Sequence, residues 1–227
     1  MRIKVPHPKR LKLDHGIFTW KLFVQALMAN LLSIGLTFGT SAFFEYKKKQ
    51  KEKREIVLMV MFDLNNSLAS VEQSDADLQQ LLQLQRQVAA DTALFATEKE
   101  RIAQLLPKPK YTEATENIFT SSIETINTVG SIQFTQMVSE FYLFRNFYKN
   151  YICETLLNEV AGANSIAAFQ GFRNADFFAK DFLNVDFTNY ALLTKDVETK
   201  MQQSYANCQK IVKVTDEEIE SYRNKLR

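Results

Sequence analysis

Glycine and proline are scarce, 6 and 4 of 227 residues, against a usual share of about 12% for the pair. Barrels and sandwiches need frequent tight turns, so those architectures are disfavoured and long helices are expected. Histidine is scarcer still, and both copies, His7 and His15, fall in the first 21 residues. The rest of the chain therefore offers no Ser-His or Cys-His pair for nucleophilic catalysis, no HExxH zinc site and no Glu-x-x-His ligands for a di-iron bundle. There is no GxGxxG and no Walker-type glycine loop, which removes nucleotide binding by those routes. No catalytic residue, metal site or cofactor is expected. The two cysteines, Cys153 and Cys208, fall in different predicted helices. They can form one disulfide if the domain lies in an oxidising compartment, or pack singly as small buried hydrophobes.

Charge and apolar residues are plentiful, and both are unevenly placed. The net charge of +2 averages two unlike parts: residues 1–54 carry 12 Lys/Arg against 3 Asp/Glu, giving +9, and residues 55–227 carry 16 against 23, giving -7. An acidic globular part argues against nucleic-acid binding, which draws on clustered Lys and Arg. The basic residues instead bracket one apolar segment. Leu22–Phe44 is 23 residues without a charge, long enough as a helix to cross a hydrocarbon core of about 30 Å. Trp20 and Lys21 before it, and Tyr46 to Lys49 after it, suit the two interfaces. A transmembrane helix in a lipid bilayer is the expectation. Two other readings stand beside it: a buried helix of a soluble protein, and a signal peptide cut near Thr40-Ser41-Ala42.

Six Lys/Arg precede the segment and six follow it closely, so the count of positive charges does not orient it. A large domain can translocate despite its charges. The N-terminus is therefore expected in the cytoplasm and the C-terminal domain outside. Within the segment Gly35 and Gly39 form a small-xxx-small pair, and Ser33 and Thr37 belong to a second row, the pattern that lets two membrane helices approach closely. Self-association is the expectation drawn from it.

The expected fold is all-α: a basic tail at 1–21, the span at 22–44, a long membrane-proximal helix at 45–106, a proline-containing linker at 107–112, and a helical bundle at 113–227 packing with the long helix. No glycine or proline occurs from Thr40 to Leu106. Apolar residues recur there at 4-3 spacing through Val57, Met61, Leu64, Leu68, Val71 and Leu78, continuing to Leu82 and Ala89, with Asp75 and Gln85 interrupting. That broken seam is coiled-coil-like and is expected to pack within the chain. Asn65-Asn66-Ser67 and Ser74-Asp75 are weak helix formers and mark expected kinks. Further helices are predicted over Glu113–Val129, Ser131–Val160, Asn164–Leu183, Thr188–Val212 and Asp216–Leu226, the last opened by a capping box at Thr215-Asp216-Glu217-Glu218.

Of 27 aromatic residues, 15 lie between Phe119 and Tyr190. One helical face runs through Met137, Phe141, Phe144, Tyr148 and Tyr151, and a second through Phe169, Phe172, Phe178 and Phe182. Core packing is the first reading of both. A ligand or partner face involving Phe141 and Tyr148 is the second, and Tyr142, Phe147 and Phe177, which fall off the stripes, are the candidates for an exposed contact patch. The carboxylates Glu113, Glu116, Glu124, Asp176, Asp181, Asp186, Asp216, Glu217, Glu218 and Glu220 read as a solvated acidic surface.

This layout of anchor at Leu22–Phe44, basic exit at Lys47–Glu55 and helical stretch broken at Thr128–Ser131 resembles small bacterial membrane proteins with one N-terminal anchor and a helical C-terminal domain. The resemblance is organisational, implies no activity and supplies no site residues. The layout is also similar to bacterial sensor ectodomains, from which it departs in having no output module after Arg227. The expected function is that of a single-pass, membrane-anchored interaction or scaffold protein, an accessory subunit of a cell-envelope complex with a protein partner or a second copy of itself. The alternatives are a sensor binding a small molecule beneath the aromatic face and, more remotely, a carboxylate-dependent hydrolase.

Overall fold

The structure, a computed structural model, describes residues 20–161 and 178–226, and within them not the side-chain surroundings of 20–24, 26, 34–39, 123 and 124. The chain divides into two compact units, residues 1–50 and 51–227. All regular elements among the described residues are helical. The first, α1, spans Trp20–Ala90 and supplies residues to both units.

In the first unit the described side chains of α1 are exposed, including Leu27, Met28, Leu31, Leu32, Phe43 and Phe44. Among the described residues no helix is long and apolar enough to cross a membrane. Ten of the 23 residues of Leu22–Phe44, namely 22–24, 26 and 34–39, lie outside those whose surroundings are described. Lys47 Nζ lies 4.7 Å from the centre of the Phe43 ring.

In the second unit α1 turns one apolar row inward: Val57, Val60, Met61, Leu64, Leu68, Val71, Leu78, Leu81, Leu84 and Val88 are buried. The row keeps its 3-4 spacing except between Val71 and Leu78, where the buried Ser74 takes the intervening position. It passes through Leu81 and Leu84, whereas Leu82 is half-buried and Ala89 exposed, a correction to the expected seam. The kinks expected at Asn65–Ser67 and Ser74–Asp75 are also absent, since α1 is continuous through both. The two serines there bond with neighbouring elements instead of unwinding the backbone.

A break falls where neither glycine nor proline stands. The Asp91 side chain accepts the N–H of Ala93 at 3.0 Å, and its carbonyl accepts the N–H of Leu94 at 3.1 Å. This local turn competes with the helix and separates α1 from α2, Leu94–Leu105. Pro107 and Pro109 then hold an irregular segment up to α3, Ala114–Ser121. Ser122 ends α3 and caps α4, Ile123–Val129, by accepting the Thr125 N–H at 3.1 Å. Gly130 closes α4 with φ of +61°, a conformation that glycine adopts without steric cost. Ser131 caps α5, Ile132–Phe147, which runs through a π-helical segment, Tyr148–Cys153, into α6, Glu154–Ala161.

Beyond the undescribed stretch come α7, Ala179–Asn184, then α8, Phe187–Val212, and α9, Asp216–Lys225. Asp186 caps α8, and α9 opens with the predicted reciprocal capping box between Thr215 and Glu218. Gln85 of α1 does not interrupt packing. Its side-chain amide donates to the carbonyls of Phe182, Leu183 and Val185 at 3.0, 3.3 and 2.8 Å, satisfying the open end of α7. Arg54 does the same for α8, donating to the carbonyls of Val212 and Lys213 at 3.1 and 3.3 Å, and it also pairs with Glu218 at the start of α9. α5 packs along α8. Edge-on contacts such as Phe119 with Phe134 fill the core, joined by the cluster of Phe95, Phe182 and Phe187.

Candidate functional site

The polar centre of the second unit is Arg145 on α5, which has no exposed surface. Burying a guanidinium is costly unless carboxylates and hydrogen bonds answer it. Nη1 donates to Asp63 Oδ2 at 3.0 Å and to Ser67 Oγ at 3.1 Å, both on α1. Nη2 donates to Glu116 on α3, whose other oxygen accepts from the Asn146 side chain at 2.9 Å. The Tyr142 hydroxyl donates to Asp63 Oδ2 at 3.1 Å, and the Tyr111 hydroxyl to the Arg145 carbonyl at 3.3 Å. The guanidinium carbon lies 4.4 Å from the Tyr142 ring centre and 4.8 Å from that of Tyr111, so the two rings flank the cation. Arg145 Nε is buried without a partner among the described residues.

The α1 face that receives this cluster is a row of small polar residues, Asp63, Ser67, Ser70 and Ser74, all buried. Each has a set partner. Ser70 Oγ accepts the Lys110 backbone N–H at 3.1 Å, and Ser74 accepts the hydroxyl of Tyr148 while donating to the Ser70 carbonyl at 2.9 Å. Burial raises the Asp63 carboxyl above its ordinary range, outweighing the attraction of Arg145 and the hydrogen bonds from Tyr142 and Arg145. Burial acts the other way on Arg145, but Asp63 and Glu116 prevail and its pKa goes up.

Asp63 also opens on a groove of about 670 Å³ lined by Phe62, Asn66 and Ser70 of α1, Tyr111 of the proline segment and Tyr222 of α9. A second hollow, about 470 Å³, lies at the α4–α5 turn around Ile126, Gly130 and Ile132. The described His, Cys, Asp and Glu residues include no group that could hold a metal ion.

The residues singled out from sequence fall in different surroundings. Phe141 and Tyr148 are buried in the core, and so is Tyr142, which leaves it off any contact patch because its hydroxyl serves Asp63. Phe147 is 37% exposed and stacks on Tyr151, itself 65% exposed, with ring centres 5.0 Å apart. Tyr151 and Phe178 therefore leave the stripes predicted for the core. Phe177 lies outside the described residues, as do Phe169, Phe172 and Asp176. Of the intramembrane pattern, Ser33 is exposed, while the surroundings of Gly35, Thr37 and Gly39 are not described.

Cys153 and Cys208 are free thiols, both buried, so of the two arrangements open to them the structure has the single buried side chains and not the disulfide. Cys153 shares a hydrogen bond with Tyr148, whereas the charged neighbour of Cys208 is Glu140. Burial pushes both thiols up to about 12, so neither is primed as a nucleophile.

Sequence reasoning missed Asp63 and Arg145, the pair at the centre of the unit. The available signal was the row at 63, 67, 70 and 74, helically spaced beside the apolar seam. Comparison with protein-family models, curated proteins and solved structures gave no match.

Proposed function

We propose that the chain is a membrane-anchored helical interaction or scaffold protein, an accessory subunit of a cell-envelope complex without catalytic activity of its own. The observation that carries this reading is the charge-free run Leu22–Phe44, helical within α1 and bracketed by basic clusters, whose described apolar side chains are exposed. Exposed apolar side chains this dense call for lipid or a partner. The N-terminus is cytoplasmic and the C-terminal domain extracytoplasmic in this reading. Gly35 and Gly39 carry self-association.

Alkaline carbonate extraction of membranes from expressing cells tests the anchor. The chain stays in the pellet if it spans the bilayer, and recovery in the supernatant overturns the reading. Replacing Gly35 and Gly39 together by Leu should abolish self-association in detergent, measured by sedimentation. Unchanged assembly would count against the membrane pair.

A further inference from the structure

The longest stretch of residues 51–227 without an acidic or basic side chain is residues 125–139, 15 positions in a chain that is 24% charged. It forms the end of α4, the turn at Gly130 and the first half of α5. The hollow of about 470 Å³ lies within it, lined by Ile126, Gly130, Ile132, Thr135 and Gln136. Ile132 is 87% exposed, more than any other large apolar side chain described. The fold does not ask for an isoleucine there, since the first position of a helix favours a carboxylate. Lys53 reaches the same turn from α1, its Nζ 3.9 Å from where a Cβ on Gly130 would stand. Its neighbours Lys51 and Arg54 pair with Glu55 and Glu218, whereas Lys53 has no ion pair among the described residues.

We infer that the α4–α5 turn is a second contact with the lipid surface, an inference that rests on the anchor at Leu22–Phe44. Ile132 enters the boundary between headgroups and acyl chains, and Lys53 is placed to meet a lipid phosphate while its stem stays against the turn. An uncharged patch gives up little hydration at that boundary, where burying a charge is costly, and an exposed isoleucine gains by leaving water. The chain permits the approach, because Lys53 is nine residues beyond Phe44, about 30 Å even at full extension. A protein partner is the poorer fit. Protein interfaces are built around aromatic and arginine anchors, and the one aromatic residue of this stretch, Phe134, is buried in the core.

Fluorescence quenching in the full chain decides the matter. The chain is reconstituted in vesicles of phosphatidylcholine and phosphatidylglycerol that carry a nitroxide at the headgroup end of the acyl chain. A fluorophore is attached in turn to Gln136→Cys beside Ile132, to Gln83→Cys and to Phe43→Cys; the buried Cys153 and Cys208 contribute only background. Gln83 is exposed and lies 30 residues past Lys53 on α1, about 45 Å along the helix. The nitroxide quenches the Gln136 label and spares the Gln83 label. Ile132→Asp, a change at an exposed position that suits the start of α5, keeps the fold and lowers the ratio of docked to free turn at least about tenfold, the size of one buried isoleucine. Unchanged quenching in that variant overturns the proposal. Quenching of Phe43 with Gln136 spared like Gln83 also overturns it and leaves the anchor standing, whereas an unquenched Phe43 label overturns the anchor reading itself. A Gln136 signal that follows the protein-to-lipid ratio and ignores the nitroxide assigns the turn to a second copy of the chain, against the proposal.

Discussion

Arg145 remains charged in the interior because two carboxylates, one serine and two aromatic rings surround it. Removing one member of such a buried set leaves the others uncompensated, at a cost of about 3–5 kcal/mol. Arg145→Met should lower the urea midpoint accordingly. Adding Asp63→Asn and Glu116→Gln to it should recover part of the loss, because the orphaned charges go too. The thiols give a second expectation at this scale. With both raised to about 12, Cys153 and Cys208 should react slowly with a disulfide reagent at pH 8 in the folded chain and quickly in urea; fast reaction in the folded chain would contradict their burial. The cluster itself was barely legible in the sequence. Asp63, Glu116 and Arg145 stand on three helices, and a helical repeat shows which residues share a face without showing which faces meet. Tyr142 was misplaced for a related reason, because its ring packs inward only to bring its hydroxyl to Asp63.

At the scale of elements, most helices were readable because their ends carry local chemistry: the proline segment after α2, Gly130 after α4, and the Thr215 capping box. The breaks at Asp91 and Ser122 were not, since Asp and Ser end a helix only when the side chain bonds back to the backbone, as both do here. Arg54 joins α1 to the end of α8 and the start of α9, and its contribution depends on pH. The hydrogen bond from Arg54 holds the Glu218 carboxyl below its ordinary value of 4.5. A carboxylate with a lowered folded-state pKa binds fewer protons folded than unfolded, so its stabilisation is present above that ordinary value and is lost as pH falls through the folded one. Glu218→Gln should therefore lower the thermal midpoint at pH 7 and flatten its decline in acid. An equal decline in both chains would assign the acid sensitivity elsewhere.

Taken as a whole, the chain has its charge divided almost where its compact units divide. The +9 of residues 1–54 and the -7 of residues 55–227 fall close to the boundary between Gln50 and Lys51. The second unit contains the continuous buried core and the whole Arg145 cluster. A fragment of residues 51–227 is expected to fold cooperatively and stay monomeric without detergent, while the full chain needs detergent to stay dispersed. Equal solubility of the two would remove the case for an anchor. The helical class of this unit could be read from its shortage of glycine and proline. Its groove could not, because a groove is a gap between elements whose arrangement no single stretch encodes.

The π-helical segment Tyr148–Cys153 bears on how the chain tolerates insertion and deletion. A wide turn of this kind accommodates one residue more than α geometry requires while both flanking helices keep their faces. Deleting the exposed Asn150 should let the segment rewind as an ordinary α-helix, with Tyr148 still directed inward upstream and Leu156 downstream. A deletion within α5 or α6 has no such slack, and turns everything beyond it by about 100° about the helix axis. Length variation between Arg145 and Val160 should thus be confined to those six positions, and deletion scanning with a folding reporter would reveal a single permissive window.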